Sequence, residues 1–311
     1  AYSLKTPSEA PGAGLPVQAW GNLDYLDQVA HFVDDCHEAG LQVELDLACN
    51  LWVPWSVDPK NQIGNSPYWP KPDETPWDEA ATWYKGVIEY VEGKVAHPES
   101  IAFWSMMGNH QWGGAEPVLW ADDSNPALIA STERFVKEVW PVFKAAGKRP
   151  KAAPFAFPIF SNNDYWMKKT PDERLAGFLN LKKWMVDDLK LPPDYWPMSS
   201  YPLCDPAPDG VYYLRRIVEI LGKDQASRII STDFKAIGID FADSIIKTDG
   251  TPEGERIAWH LKKCAEYGFS GWWIWSYQDT ATDKTGLRDA AGVWKPALVE
   301  RIRNSELRTA N

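Results

Sequence analysis

Ile101-Ala102-Phe103-Trp104-Ser105-Met106-Met107 (IAFWSMM) reads as a short, almost wholly apolar β-strand. Five comparable runs are spaced along the chain: Leu41–Leu47 (LQVELDL), Lys151–Phe157, Tyr195–Tyr201, Arg228–Phe234 (RIISTDF) and Phe269–Ser276 (FSGWWIWS). Longer amphipathic stretches lie between them. The clearest is Asn22–Glu38, with Leu23, Leu26, Val29, Val33 and Cys36 on one stripe and Gly40 closing it. Thr75-Pro76-Trp77-Asp78-Glu79 opens another, with Thr75 as N-cap, Pro76 at the first position and acids in the first turn. The same device recurs at Thr170-Pro171 and Thr251-Pro252. The segment Leu51–Glu74, aromatic and proline-rich, reads as a loop. Six strands separated by helices define an α/β chain of parallel βα units, and no break in composition divides residues 1–311 into two domains.

The composition narrows the partners. The chain has 311 residues, with 44% hydrophobic and 24% charged, an ordinary globular balance. Its 32 basic and 43 acidic residues give a net charge of −11 and no Lys/Arg-rich run. Phosphate recognition requires a basic face, so neither nucleic acid nor an anionic membrane is an expected partner. No apolar run is long enough for a bilayer span. The four cysteines (Cys36, Cys49, Cys204, Cys264) form no CxxC pair and read as buried thiols, with one disulfide as the alternative. No HxH or HExxH occurs, so no catalytic metal and no cofactor is expected. His31, His37, His97 and His260 read as solvated or helix-end residues, and Asp46 as a buried, hydrogen-bonded strand carboxylate. Tryptophan is abundant, at 18 residues. Most are expected in the core, and the rest suit a wet cleft whose flat rings stack on the apolar faces of sugars.

At IAFWSMMGNHQW and GFSGWWIWSYQD the sequence resembles the clan of retaining glycoside hydrolases with a (β/α)8 TIM barrel, which includes cellulases, mannanases and β-galactosidase-like enzymes. In that clan the fourth strand ends in W-x-x-x-N-E, the seventh in T-E-F-G, and the eighth carries a sugar-facing Trp. The matching stretches are Trp104 to His110, Thr232-Asp233-Phe234-Lys235, and Trp272 to Asp279. The six strands then correspond to strands three to eight of the barrel, with Ala1-Tyr2-Ser3-Leu4 as the tail leaving strand two. A six-strand remnant would expose two unpaired parallel edges. The resemblance therefore implies that an N-terminal peptide, a cleaved fragment or a partner chain supplies the first two strands.

The resemblance also assigns roles. Asn109 falls at the position that binds the sugar 2-hydroxyl, Tyr201 at the strand-six tyrosine and Trp275 at the strand-eight platform. The acid/base glutamate is replaced by His110 and the nucleophilic glutamate by Asp233, and Ala48 and Ser199 stand where many members place His. Retaining hydrolysis uses two carboxyls about 5–5.5 Å apart. Asp233 is a methylene shorter than Glu, so it falls short by roughly an ångström unless the backbone shifts toward the substrate. His110 can carry a proton at mildly acidic pH, but its protonated form adds positive charge beside an oxocarbenium-like transition state. Glu116, in the loop QWGGAEP, and Asp279 are the alternative acids. Trp52, Trp55, Trp69, Trp112 and Trp166 follow strands three to five and are expected to wall an extended cleft. The expected function is retaining-type hydrolysis of a β-linked poly- or oligosaccharide. The alternative is a glycan-binding barrel that has lost the chemistry.

Overall fold

The computed structural model describes residues 23–47, 62–63, 66–70, 73, 75–106, 126–154, 170, 175–199, 212–234, 262–274 and 291–293. The chain divides into two compact units, one of residues 1–156 and 176–195, the other of residues 157–175 and 196–311.

The first unit begins with helix α1 (Leu23–Glu38). Leu26, Ala30, Val33 and Cys36 form its buried stripe, at the spacing the sequence predicts. It ends in a Schellman motif: Leu41 N–H bonds Cys36 O (2.8 Å), Gly40 N–H bonds His37 O (2.9 Å), and Gly40 takes a φ of +70°. The strand β1 (Val43–Leu47) follows. Within the stretch read as a loop, β2 (Gln62–Ile63) and β3 (Ser66–Pro70) pair antiparallel, with Ile63 opposite Ser66. Gly64-Asn65 lies between them, a dipeptide suited to a two-residue hairpin, so the loop assignment is corrected here.

Helix α2 (Trp77–Lys94) starts one residue later than expected, with Pro76 rather than Thr75 at the N-cap and no side-chain cap there. Its buried positions Trp77, Ala80, Tyr84, Val87, Ile88 and Val91 follow the helical repeat. They meet helix α3 (Pro126–Ala145), where Phe135 touches Trp77 and Tyr84 edge-on at 6.3 and 5.9 Å and Phe143 touches Tyr84 at 6.0 Å. Tyr90 Oη donates to Asp27 Oδ1 at 2.7 Å, joining α2 to α1.

The strand β4 (Ile101–Met106) pairs in parallel with β1, Leu45 opposite Trp104 and Asp46 opposite Ser105. Beyond it, single parallel bridges link Trp104 to Lys151 and Ala152 to Tyr195. Helix α4 (Ala176–Lys182) widens into a π-helical segment over Lys183–Asp188. Trp140 Nε1–H bonds Leu191 O at 2.8 Å just beyond it. Among the described residues, six tryptophans (Trp77, Trp83, Trp104, Trp140, Trp184 and Trp196) are core residues.

The second unit holds β5 (Trp196–Ser199), β6 (Ile229–Phe234) and β7 (Gly271–Ile274) in one parallel sheet of that order. Helix α5 (Tyr212–Leu221) buries Ile217 and Val218. Ahead of β7 the chain repeats the Schellman ending: Phe269 N–H bonds Cys264 O and Gly268 N–H bonds Ala265 O, both at 2.9 Å, with Gly268 at a φ of +79°. All six expected strand positions are found as strands or bridges. Among the described residues, every parallel pair joins consecutive members of the six expected strands, whereas a doubly wound sheet reverses its strand order. Cys36 and Cys264 are buried thiols, while Cys49 and Cys204 lie outside the described residues. No helix among the described residues is long and apolar enough to cross a membrane.

Candidate active site

Parallel strands place all their C-terminal ends along one edge of a sheet, and βα folds gather their functional groups there. In the first unit β1 ends at Leu47 and β4 at Met106. The chain leaving β1 carries Trp52 and Trp55, and the chain leaving β4 carries Asn109, His110, Trp112 and Glu116; all six lie outside the described residues. In the second unit the ends are Ser199, Phe234 and Ile274. Tyr201, Trp275 and Asp279 follow these ends in sequence and likewise lie outside the described residues, as do Trp166 and His260.

Two candidates have a described backbone: Trp69, within β3, and Asp233. Asp233 occupies the penultimate position of β6. Against β5 the register of β6 is regular through Thr232, which faces Ser199. Against β7 it is not: Ser231 pairs with Trp272 and Phe234 with Ile274. Thr232 and Asp233 together therefore oppose the single residue Trp273. A one-residue excess of this kind is a β-bulge, which bends the strand and changes where its side chains aim.

Asp46 does not meet its expectation. It is exposed, although it lies inside β1. The carboxylate that is partly covered is Glu44, two residues earlier on the same face, and it accepts a 2.7 Å hydrogen bond from Ser105 Oγ. Leu47, the neighbour of Asp46 on the other face of the strand, is buried. Trp104 points to the opposite face, where its Nε1–H donates to Glu92 of α2 at 2.9 Å. The face carrying Glu44, Asp46 and Ser105 is therefore turned away from α2. Phe103 and Tyr195 meet on it, with ring centroids 5.3 Å apart. The alternation in VELDL was sufficient to put Glu44 and Asp46 together, and Ser105 is the one polar residue of IAFWSMM.

At the opposite ends of the strands several polar groups are engaged with one another. Glu92 accepts from Trp104 Nε1, Lys148 N (2.6 Å) and Arg149 N (3.3 Å). This close approach requires Gly147, at a φ of +61°, because a Cβ there would lie 2.5 Å from the Glu92 carboxylate. Lys151 is buried; its Nζ donates to Arg149 O and its backbone N–H to Asp194 Oδ2 (2.7 Å). Burial pushes its ammonium down to a pKa of about 8 against the pull of Glu92 and Asp194.

The fold of the chain is distantly similar to that of solved β-glucosidases. The chain is similar to the hyperthermophilic β-glucosidase of Pyrococcus furiosus, with a TM-score of 0.56 and 12% identity over 98% of this chain and 76% of that one. It is also similar to a hyperthermophilic β-glucosidase mutant that forms a dodecameric structure in the crystal, with a TM-score of 0.51 and 15% identity over 90% and 73% of the two chains. No protein-family model matches the sequence, and no curated protein matches it.

Proposed function

We propose that the protein is a glycoside hydrolase acting on β-linked oligo- or polysaccharides by a retaining mechanism. Its site lies at the C-terminal ends of the strands of a (β/α)8 barrel. Asp233 is the nucleophile or electrostatic stabiliser of the anomeric centre, and His110 or Glu116 is the proton donor. Asn109, Tyr201 and Trp275 position the sugar, with Trp52, Trp55, Trp112 and Asp279 along the cleft.

The observation that carries this reading is the bulge at Thr232–Asp233. An aspartate in place of glutamate needs its backbone displaced to reach an anomeric carbon, and a one-residue excess at that point of β6 is the local means of displacing it. Distant likeness of fold to two β-glucosidases supports a glycoside hydrolase-like reading in general. The replacement of the acid/base glutamate by His110 favours the second reading, a barrel that binds glycans without cleaving them.

Reducing-sugar release from β-glucans, mannans, xylans and galactans at pH 4–8 separates the two, with tryptophan fluorescence recording binding. Turnover that Asp233→Asn abolishes is the expected result. Saturable binding without turnover in the wild-type chain would establish the glycan-binding protein instead.

A further inference from the structure

Away from the strand ends just described, the turn leading into β4 gathers two imidazoles and a carboxylate. His37 lies in the last turn of α1. His97 follows α2 and precedes the 3-10 turn Pro98–Ser100, which holds Glu99. The two rings stack face to face, centroids 3.8 Å apart and planes within 4°. His37 Nδ1 is 2.8 Å from Ser100 Oγ, and His97 Nδ1 is 3.2 Å from Glu99 Oε1. One donor atom from each of His37, His97 and Glu99 lies within 4.8 Å of the others. The backbone beneath them is fixed, because the Asp34 carboxylate accepts the N–H groups of Ala96 (3.2 Å) and His97 (3.0 Å).

We propose that His37, His97 and Glu99 form a binding site for one divalent transition cation of the zinc class, joining the C-terminal end of α1 to the turn that enters β4. Two imidazoles and one carboxylate are the donor set of zinc, nickel or copper rather than of magnesium or calcium, which take oxygen ligands. Three protein ligands leave a fourth position for water. Ser100 is buried, and with its hydroxyl accepting from Nδ1–H of His37 the lone pair stands on Nε2, the arrangement in which an orienting partner sits behind a ligating histidine. Parallel rings cannot both aim their in-plane lone pairs at one ion. Binding therefore turns the His97 ring out of the stack while Ser100 holds His37. The His97 and Glu99 side chains are 45% and 61% exposed, so both have room to turn.

The test is calorimetric titration of the full chain with zinc sulfate at pH 7.5, alongside thermal unfolding with and without the metal. Saturable binding of one zinc is expected, with an unfolding temperature that rises with zinc concentration. His97→Ala and Glu99→Gln alter exposed side chains, so both variants keep the far-UV spectrum of the wild type. Each lowers the affinity at least about tenfold, as does Ser100→Ala from behind the site. His31→Ala, on the exposed side of α1, leaves it unchanged. Absence of saturable binding would overturn the proposal, and so would equal affinity in the wild-type, His97→Ala and Glu99→Gln chains.

Discussion

The two ends of β4 are made from the same kinds of residue put to opposite uses. At its N-terminal end several charged groups hold backbone and side-chain partners. Arg149 Nε donates to Ile101 O at 2.7 Å, Glu92 gathers three N–H groups, and Lys144 pairs with Asp194 beside Lys151. At its C-terminal end Ser105 donates to Glu44, and Asp46 of the neighbouring strand stands exposed. Carboxylates such as Glu92 and Asp194, each gathering more than one donor, fix turns in place, whereas Asp46 is exposed near a strand end. Barrel folds place their chemistry at the C-terminal ends of the strands, the ends at which the proposed site lies. Substitutions at the two ends should therefore move different observables.

The largest effect is expected at Asp233. Asp233→Asn lowers hydrolysis by at least about a thousandfold, while its unfolding free energy stays within roughly 0.5 kcal/mol of wild type. A variant that lost activity and stability together would erase the contrast. Next comes Glu92→Ala, which leaves three donors without their acceptor. Denaturant titration should show a loss of about 3 kcal/mol with kcat/KM unaltered.

Lys151 sharpens the comparison through pH. The folded chain releases the Lys151 proton near pH 8, while the unfolded chain holds it to the ordinary value of 10.5. Between those values the unfolded state binds more protons, so this group makes stability rise with pH across the interval, by up to roughly 3 kcal/mol. Urea midpoints measured from pH 7 to 10.5 should show that rise in the wild type and its loss in Lys151→Met.

Gly40→Ala places a side chain at a positive φ and should cost about 1–2 kcal/mol, read as a lower unfolding temperature. The smallest effect is expected at Asp46. Asp46→Asn should change stability by less than about 0.5 kcal/mol, and a larger loss would mean that this carboxylate is structural after all.

Much of this arrangement was legible in the sequence because it rests on local pattern. The apolar runs at 43–47, 101–106, 229–234 and 271–274 become strands, and Gly40 ends a helix where its missing Cβ is needed. What was not legible depends on contacts between distant segments. The place of Asp46 in a strand suggested burial but could not show which face of that strand its neighbours cover. Gly64-Asn65 did carry a hairpin signal, but it lay inside a stretch dominated by proline and tryptophan. The stacking of His37 on His97 joins residues far apart in sequence. The bulge at Asp233 is a property of β6 against β7, which neither strand declares alone.

The claim that Asp233 is the nucleophile is tested most directly by trapping its covalent intermediate. The chain would be incubated with activated 2-deoxy-2-fluoro-β-glycosides, matched to the sugar it cleaves, and its intact mass measured before and after proteolysis. The account predicts one glycosyl adduct per chain, located on the peptide containing Thr232-Asp233-Phe234 and missing in Asp233→Asn. An adduct on any other carboxylate, or steady hydrolysis with no adduct at all, would contradict it.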